Sequence, residues 1–378
     1  MRHPHAAARA RDGPEVADIL ADHAFGLRLS REQAHAASAI VSCRTAKLGG
    51  HREVCDTCGA VRRAYNSCRN RHCPKCQVLK QELWAERQRA RLLPTLHFQI
   101  VFTIAAELHR LFHRAPEVCL TLLFQAVAET LLEVSRSHLQ AEIGFTAVLH
   151  TWTQLLRFHP HIHCLVPAGA LGPDGWIATS TRFFLPIRNL RSVFKGKLLD
   201  KLKQAVRDGS IPIPEAEARA LIARAGHKKW NIDIEPPLPG PDHVVNYLSR
   251  YVHRIAISNS RILNYDGHTV TFRYKDRADG NKTKVERLSG EKFSRRFLQH
   301  VLPDRFVRIR HYGLLASRRR ADLNRCRVLL GAEAVQPGQK PETWVEALRR
   351  LFGHDPLLCP ECKVGRMVVR EVLAPLRL

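Results

Sequence analysis

The sequence predicts an α+β fold: a long helix on a largely antiparallel sheet, preceded by a small cysteine-rich module. Three observations predict it. Six of the eleven cysteines fall between Cys43 and Cys76. Residues 96–104 are rich in β-branched and aromatic side chains, as a buried strand is, and residues 118–139 then carry apolar side chains at helical intervals. Residues 145–152 and 162–166 read as two further strands flanking a turn near Leu156. Strand, helix and paired strands in that order suit a helix layer on an antiparallel sheet.

Length and charge bound what such a fold does. At 378 residues the chain has room for about two to three domains. Composition shifts divide it into a cysteine-rich segment over residues 1–93, ended by Pro94, a central segment over 94–330, and an extension over 331–378 with a linker at 334–343. A 45% hydrophobic, 25% charged composition excludes wholesale disorder and fibrous repetition. Sixty Lys and Arg against thirty-five Asp and Glu leave a net charge of +25. That excess calls for a polyanionic partner, nucleic acid first and an anionic membrane surface second, with a basic ribosomal-type protein as the bland alternative. The most apolar stretch, 118–134, is interrupted by Gln125 and Glu129, so no membrane span is expected. Residues 1–22 lack the apolar region of a secretion signal, which points to the cytoplasm and, given the charge, the nucleoid.

In a reducing compartment, closely spaced cysteines are more often metal ligands than disulfides. Cys55-x2-Cys58 and Cys73-x2-Cys76 form two knuckles separated by fourteen residues. Two such turns close a tetrahedral structural zinc site, so these four are the expected ligands, one residue short of the usual interval. Cys43, His51, Cys68 and His72 lie in the same window as substitutes or as a second site. Arg62, Arg63, Arg69, Arg71 and Lys75 make the module basic, as a DNA-contacting finger is. A helix over 77–93 follows.

The second paired strand carries His159-Pro-His161-Ile-His163. Strand residues two apart share a face, so His161 and His163 present two imidazoles to one point while Ile162 turns to the core. A hairpin centred near Leu156 sets His150 opposite His163 and Trp152 opposite His161, leaving His150 or Gln154 as third ligand. Pro160 turns His159 away.

After a proline-rich break at 235–241, residues 242–254 have helical character with Asp242 as a plausible N-cap. Tyr247 and Tyr251 stand one turn apart on one face, and Arg250 and Arg254 repeat that spacing beside them. Paired tyrosines are commonly core or interface aromatics. Beside a His-bound metal and among arginines they also have what covalent phosphodiester chemistry needs: a hydroxyl nucleophile, a Lewis acid and cations for the developing charge.

Together YNSCRNRHCPKCQ at 65–77, LHTWTQ at 149–154, HPHIHCLVPAG at 159–169, YLSRYVHRIAISNSRI at 247–262 and RIRHYGLLA at 308–316 give the chain its resemblance. It resembles the two-tyrosine transposases of the HUH endonuclease superfamily, of the rolling-circle insertion-sequence type with an amino-terminal zinc-binding domain. That resemblance implies an HUH-type antiparallel sheet and a metal-dependent nickase acting on single-stranded DNA through a 5′-phosphotyrosine link. By motif, His161 and His163 become metal ligands, Tyr247 and Tyr251 nucleophiles, and Mg²⁺ or Mn²⁺ the ion; Thr153 stands where the family has glycine. A relaxase or replication initiator shares this chemistry, and a catalytically silent zinc-dependent DNA-binding protein is the alternative of another class.

Residues 270–330 hold seventeen Lys and Arg against six Asp and Glu. A strand at 269–274 and a helix at 293–301 precede Arg308, Arg310, Arg318, Arg319 and Arg320, cations among aromatics that suit a track for single-stranded DNA. Tyr312 reads as structural. Cys359 and Cys362 form one more knuckle, half a zinc site completed by His354 or another domain, or two free thiols.

Overall fold

A computed structural model describes residues 13–89, 91–180, 184–240, 243–244, 256–335, 343–353 and 355–376. The amino-terminal segment contributes α1 (Val16–His23), α2 (Arg31–Ser42), the hairpin β1 (Gly50–Cys55) and β2 (Val61–Tyr65), and α3 (Val78–Arg89). Ser30 starts α2 with a capping box: its hydroxyl accepts from Gln33 N–H at 3.3 Å while the Gln33 side chain accepts from Ser30 N–H at 3.0 Å.

The central segment runs β3 (His97–Thr103), α4 (His109–Arg114), α5 (Pro116–Leu139), β4 (Gly144–Trp152), β5 (Phe158–Pro167), the hairpin β6 (Gly169–Gly172) and β7 (Gly175–Ala178), α6 (Ile187–Arg207), α7 (Glu215–His227) and β8 (Ile232–Leu238). Then come β9 (Ile262–Tyr265), β10 (Thr269–Asp276), β11 (Lys282–Ser289), α8 (Gly290–Leu298), β12 (Ile309–Gly313), α9 (Arg320–Leu329), α10 (Trp344–Phe352) and β13 (Met367–Leu373).

Five strands form the central sheet in the order β12-β4-β5-β3-β8, every neighbour antiparallel. The expected α+β architecture is what the chain adopts. Strand parity divides the sheet cleanly. Phe98, Ile100 and Phe102 from β3, Phe145, Ala147 and Leu149 from β4, and Ile162, Cys164 and Val166 from β5 all enter the main core with α5, α6 and α7. The opposite face carries His150, His161 and His163. Helix α5 is long and apolar enough to cross a membrane, but Leu120, Leu123, Phe124, Val127 and Leu131 are buried in this core.

A second core joins distant segments. Val16, Ile19, Leu20, Ala37 and Ile40 from α1 and α2 pack with Val270, Phe272, Leu288, Phe293 and Phe297 from β10, β11 and α8. Packing therefore crosses the boundary expected at residue 93. Arg71 reaches across it as well, donating from Nη1 to the Phe306 carbonyl at 2.5 Å.

Two buried histidines make stability depend on pH. Burial pushes His97 down to about 4 and His300 down to about 3, while Thr151 Oγ1 and the Leu156 carbonyl lie 3.2 and 3.1 Å from the two His300 ring nitrogens. The unfolded chain takes up these protons near pH 6.5 and the folded chain does not, so stability is full above that pH and falls below it, by about 1.4 kcal/mol per pH unit for each residue. Urea midpoints should fall between pH 6.5 and 5, and those of His300→Gln less steeply; a flat wild-type midpoint over that interval contradicts the assignment.

Candidate metal centre

The β4–β5 hairpin builds the site. Its register sets His150 opposite His161 and Val148 opposite His163, two residues from the expected pairing, with a bulge between His150 and Trp152. The hairpin closes earlier than expected, Thr153 N–H donating to Arg157 O at 3.0 Å, and Leu156 takes a left-handed φ of 58°. An even shift preserves side-chain parity, so His150 stays on the face of the other two. Ring centroids lie 5.5 Å apart for His150 and His161, 4.6 Å for His150 and His163, and 4.9 Å for His161 and His163. One nitrogen from each ring falls within 4.8 Å of the others. Gln154 lies past the end of β4, in the turn, where its carbonyl accepts from Arg261 Nη2 at 2.6 Å.

The surroundings fix ring orientations. His161 Nδ1 donates to the His159 carbonyl at 2.6 Å, which leaves its Nε2 lone pair free. Burial lowers His161 to about 4, so the ring is neutral at ordinary pH, the form that can take a metal. Gln99 Nε2 lies 3.2 Å from His163 Nδ1, and Gln99 Oε1 is buried without a partner. Turning the amide over lets that oxygen accept from Nδ1–H, the tautomer in which His163 Nε2 carries the lone pair a cation would use. Trp152 stacks on His150 at 4.9 Å. His150 and His163 are buried, whereas His161 is partly open to solvent. Three ring nitrogens on one side of a point leave its other side for phosphate and water oxygens.

Several neighbours escaped sequence reading. Gln99 is one, an ordinary strand glutamine until β3 is paired with β5. Asp233 and Glu235 on β8 pair with Val101 and Gln99, and so lie on the histidine face. Burial raises the Glu235 carboxyl while Arg277, from the turn between β10 and β11, opposes that shift and also depresses His161. Val244 is fully buried with Val148, Leu165 and Leu92, with Trp84 of α3 and Ile309 of β12 packed against them. Val244, three residues before Tyr247 in the sequence, is thus anchored on this face. Tyr247, Tyr251, Arg250 and Arg254 lie outside the described residues, as does His354. Tyr312 pairs with Phe145 and stacks on it at 5.1 Å, on the face away from the histidines.

The two cysteine knuckles do not share a centre. Cys73 and Cys76 meet Cys43 and Cys68, whereas Cys55 and Cys58 meet Cys359 and Cys362. The reason is architectural: Cys43 caps the end of α2 and is buried in the second core with Cys73, while Cys55 ends β1 on the far side of the hairpin. Cys68 and Cys76 Sγ lie 3.8 Å apart, and Cys68, Asn70 and Lys75 N–H groups donate to Cys43, Cys68 and Cys73 sulfurs at 3.4–3.5 Å. Contacts from Cys43, Cys68 and Cys73 hold the Cys76 thiol far below its ordinary value, and contacts led by Cys43 push Cys68 and Cys73 far above theirs. A cation is what lets all four ionise together. His51 and His72 join neither group; His72 Nε2 accepts from Leu302 N–H at 3.4 Å. Cys73→Ser/Cys76→Ser should lower zinc content by one ion and loosen the second core, read as a lower melting temperature; unchanged zinc content contradicts the grouping.

The cations sort by environment. Arg62 pairs with buried Glu53 at 2.5 Å, Lys75 pairs with Glu15 at 2.6 Å, and Arg71 and Arg308 are buried deeply enough to lower their pKa values, Arg308 to about 10. Arg319 binds both Glu142 oxygens at 2.8 Å as well as Asp322, and Arg310 lies 4.2 Å over the Phe124 ring. Arg63, Arg69, Arg318 and Arg320 are exposed.

Comparison with known proteins accords with this layout. Residues 144–322 match a family model described as "Putative transposase", and residues 16–104 match one described as "Transposase zinc-binding domain". The chain is 43% identical over 384 residues to "Putative transposase y4qJ" of Sinorhizobium fredii, covering 96% of each protein. It is 29% identical over 348 residues to "Transposase for insertion sequence element IS801" of Pseudomonas savastanoi pv. phaseolicola, covering 89% of this chain and 83% of that one. A solved structure of the conjugative relaxase TrwC, metal-bound and with oriT DNA, aligns at 13% identity over 42% of this chain and 71% of that one. Its TM-score of 0.24 is too low to bear on fold or chemistry.

Proposed function

We propose, for a chain that belongs to the IS91/IS801 family of insertion-sequence transposases with an amino-terminal zinc-binding domain, that the histidine triad and the paired tyrosines cut and rejoin single-stranded DNA. The observation that carries this reading is the convergence of His150, His161 and His163 on the sheet face where Val244, three residues before Tyr247, is buried. A divalent ion held there, Mg²⁺ or Mn²⁺, would polarise a non-bridging oxygen of the scissile phosphate. His159 and Gln99 orient the imidazoles, and Arg277 adds positive charge beside them.

In the proposed step a tyrosine phenol loses its proton and its oxygen attacks phosphorus. The bond from phosphorus to the 3′ oxygen breaks, the departing oxygen takes up a proton, and a 5′-phosphotyrosine remains. Rejoining reverses the step with a 3′-hydroxyl as nucleophile. The second tyrosine lets one strand stay attached while another is cut. Exposed Arg63, Arg69, Arg318 and Arg320 track the DNA backbone, the zinc-binding module recognises the element ends, and the protein works at the nucleoid.

Incubating the full chain and Mg²⁺ with labelled single-stranded DNA from the element ends tests the reading. A denaturation-resistant protein–DNA adduct and a strand-transfer product are expected. Binding with no adduct leaves a DNA-binding protein without this chemistry, and nicking at one origin with no transfer to a second DNA is the behaviour of a replication initiator.

A further inference from the structure

We propose that Cys55, Cys58, Cys359 and Cys362 hold a second zinc ion that clasps the carboxy-terminal segment onto the amino-terminal module. Both family matches, 16–104 and 144–322, stop short of Cys359 and Cys362. The four sulfurs lie within 4.8 Å of one another, and two contacts cross between the knuckles, Cys55 to Cys362 and Cys58 to Cys359, each at 3.7 Å. Tetrahedral zinc with bonds of about 2.3 Å places its sulfurs about 3.8 Å apart. A disulfide requires about 2.05 Å.

Backbone donors complete the knuckles. Thr57 and Cys58 N–H donate to Cys55 Sγ at 3.4 and 3.5 Å, and Gly365 N–H donates to Cys362 Sγ at 3.3 Å, stabilising thiolates at the ends of both turns. Asp56 and Arg366 tie the turns together, Asp56 N–H to Arg366 O at 3.0 Å and Arg366 N–H to Asp56 Oδ1 at 2.8 Å. Gly365 leaves room for the sulfur: a Cβ there would collide with Cys55 Sγ and come within 2.6 Å of Thr57 Oγ1.

The clasp has mechanical work to do. Strand β13 pairs along the whole of β1, from Gly50 opposite Leu373 to Cys55 opposite Met367, making β1 the centre of a three-stranded sheet. Among the described residues, the apolar cluster buried at this sheet is small, Cys55, Cys359 and Met367 with Ala60 and Cys362 packed against them, while Val368, Val369 and Val372 of β13 stay exposed. So little buried apolar area does not hold a separate chain segment in place, and metal ligation supplies what burial lacks. The ion thereby also steadies α10, whose Arg350 pairs with Glu86 of α3 at 2.8 Å, the helix that lays Trp84 over the histidine face.

Zinc counting on the full-length protein tests the clasp without any DNA chemistry, so its failure is separate from failure of the nuclease reading. In a His161→Ala background, which disables the triad, native mass spectrometry should find two zinc ions per chain and only one after Cys359→Ser/Cys362→Ser. With cobalt in place of zinc, thiolate charge-transfer absorption should halve in the double variant, and trypsin should cut after Lys363, Arg366 or Arg370 at least tenfold faster. One ion in the parent, or two ions in the double variant, overturns the proposal. If the double variant is insoluble, the parent count and cobalt absorption decide alone: two ions with the absorption of two Cys₄ centres support the clasp, and one such centre overturns it.

Discussion

Tyr247→Phe/Tyr251→Phe should abolish the covalent protein–DNA adduct, a loss on the order of 10⁴-fold or more, as expected when an enzyme loses its nucleophile. Phenylalanine keeps the ring and removes only the oxygen that would bond to phosphorus. Each single variant should keep an adduct through its remaining phenol and lose the strand-transfer product, because transfer needs one strand held while another is cut. Zinc content and melting temperature should stay at wild-type values, since Val244 and the residues packed around it are untouched. Gel separation under denaturing conditions reads the outcome. An adduct persisting in the double variant would show that neither phenol is the nucleophile. Tyr312 is no substitute, because it stacks on Phe145 on the opposite face of the sheet.

What could be read from the chain alone followed local periodicity. Strand β3 and helix α5 are visible because an apolar run and a helical interval each report their own backbone, and they form at His97–Thr103 and Pro116–Leu139. The histidine face survived a register error because parity, not register, decides which way a strand side chain points. His150 therefore joined His161 and His163 even though its cross-strand partner differed from expectation. Pairings that depend on distant segments were not legible. Nothing in the spacing of Cys55 and Cys58 points to a partner knuckle about 300 residues away in Cys359 and Cys362, so the nearer knuckle was expected to complete the site. Charge counting failed in the same way: Arg319 and Arg62 add to the basic total, yet Glu142, Asp322 and Glu53 neutralise them inside the fold. Strand β12, with its alternating cations, becomes recognisable as an edge strand only through its pairing with β4.

His161→Ala and Gln99→Leu separate ligand from support. Removing His161 takes away one of three converging nitrogens and the ring most open to solvent, so Mg²⁺-dependent cleavage should fall by roughly 10²–10³-fold, the scale of losing a preorganised electrostatic contact in the transition state. Gln99→Leu leaves all three nitrogens in place and removes only the amide beside His163 Nδ1. Loss of such an orienting partner costs about 10–100-fold, principally in metal affinity. Titrating Mg²⁺ or Mn²⁺ against initial cleavage rate should therefore restore much of the Gln99→Leu activity at high metal and little of the His161→Ala activity. The adduct formed by His161→Ala, where detectable, should still map to Tyr247 or Tyr251, because the phenols are separate from the ligands. Wild-type cleavage by His161→Ala at saturating Mg²⁺ would remove the triad from the chemistry and leave its imidazoles a purely structural part of the sheet.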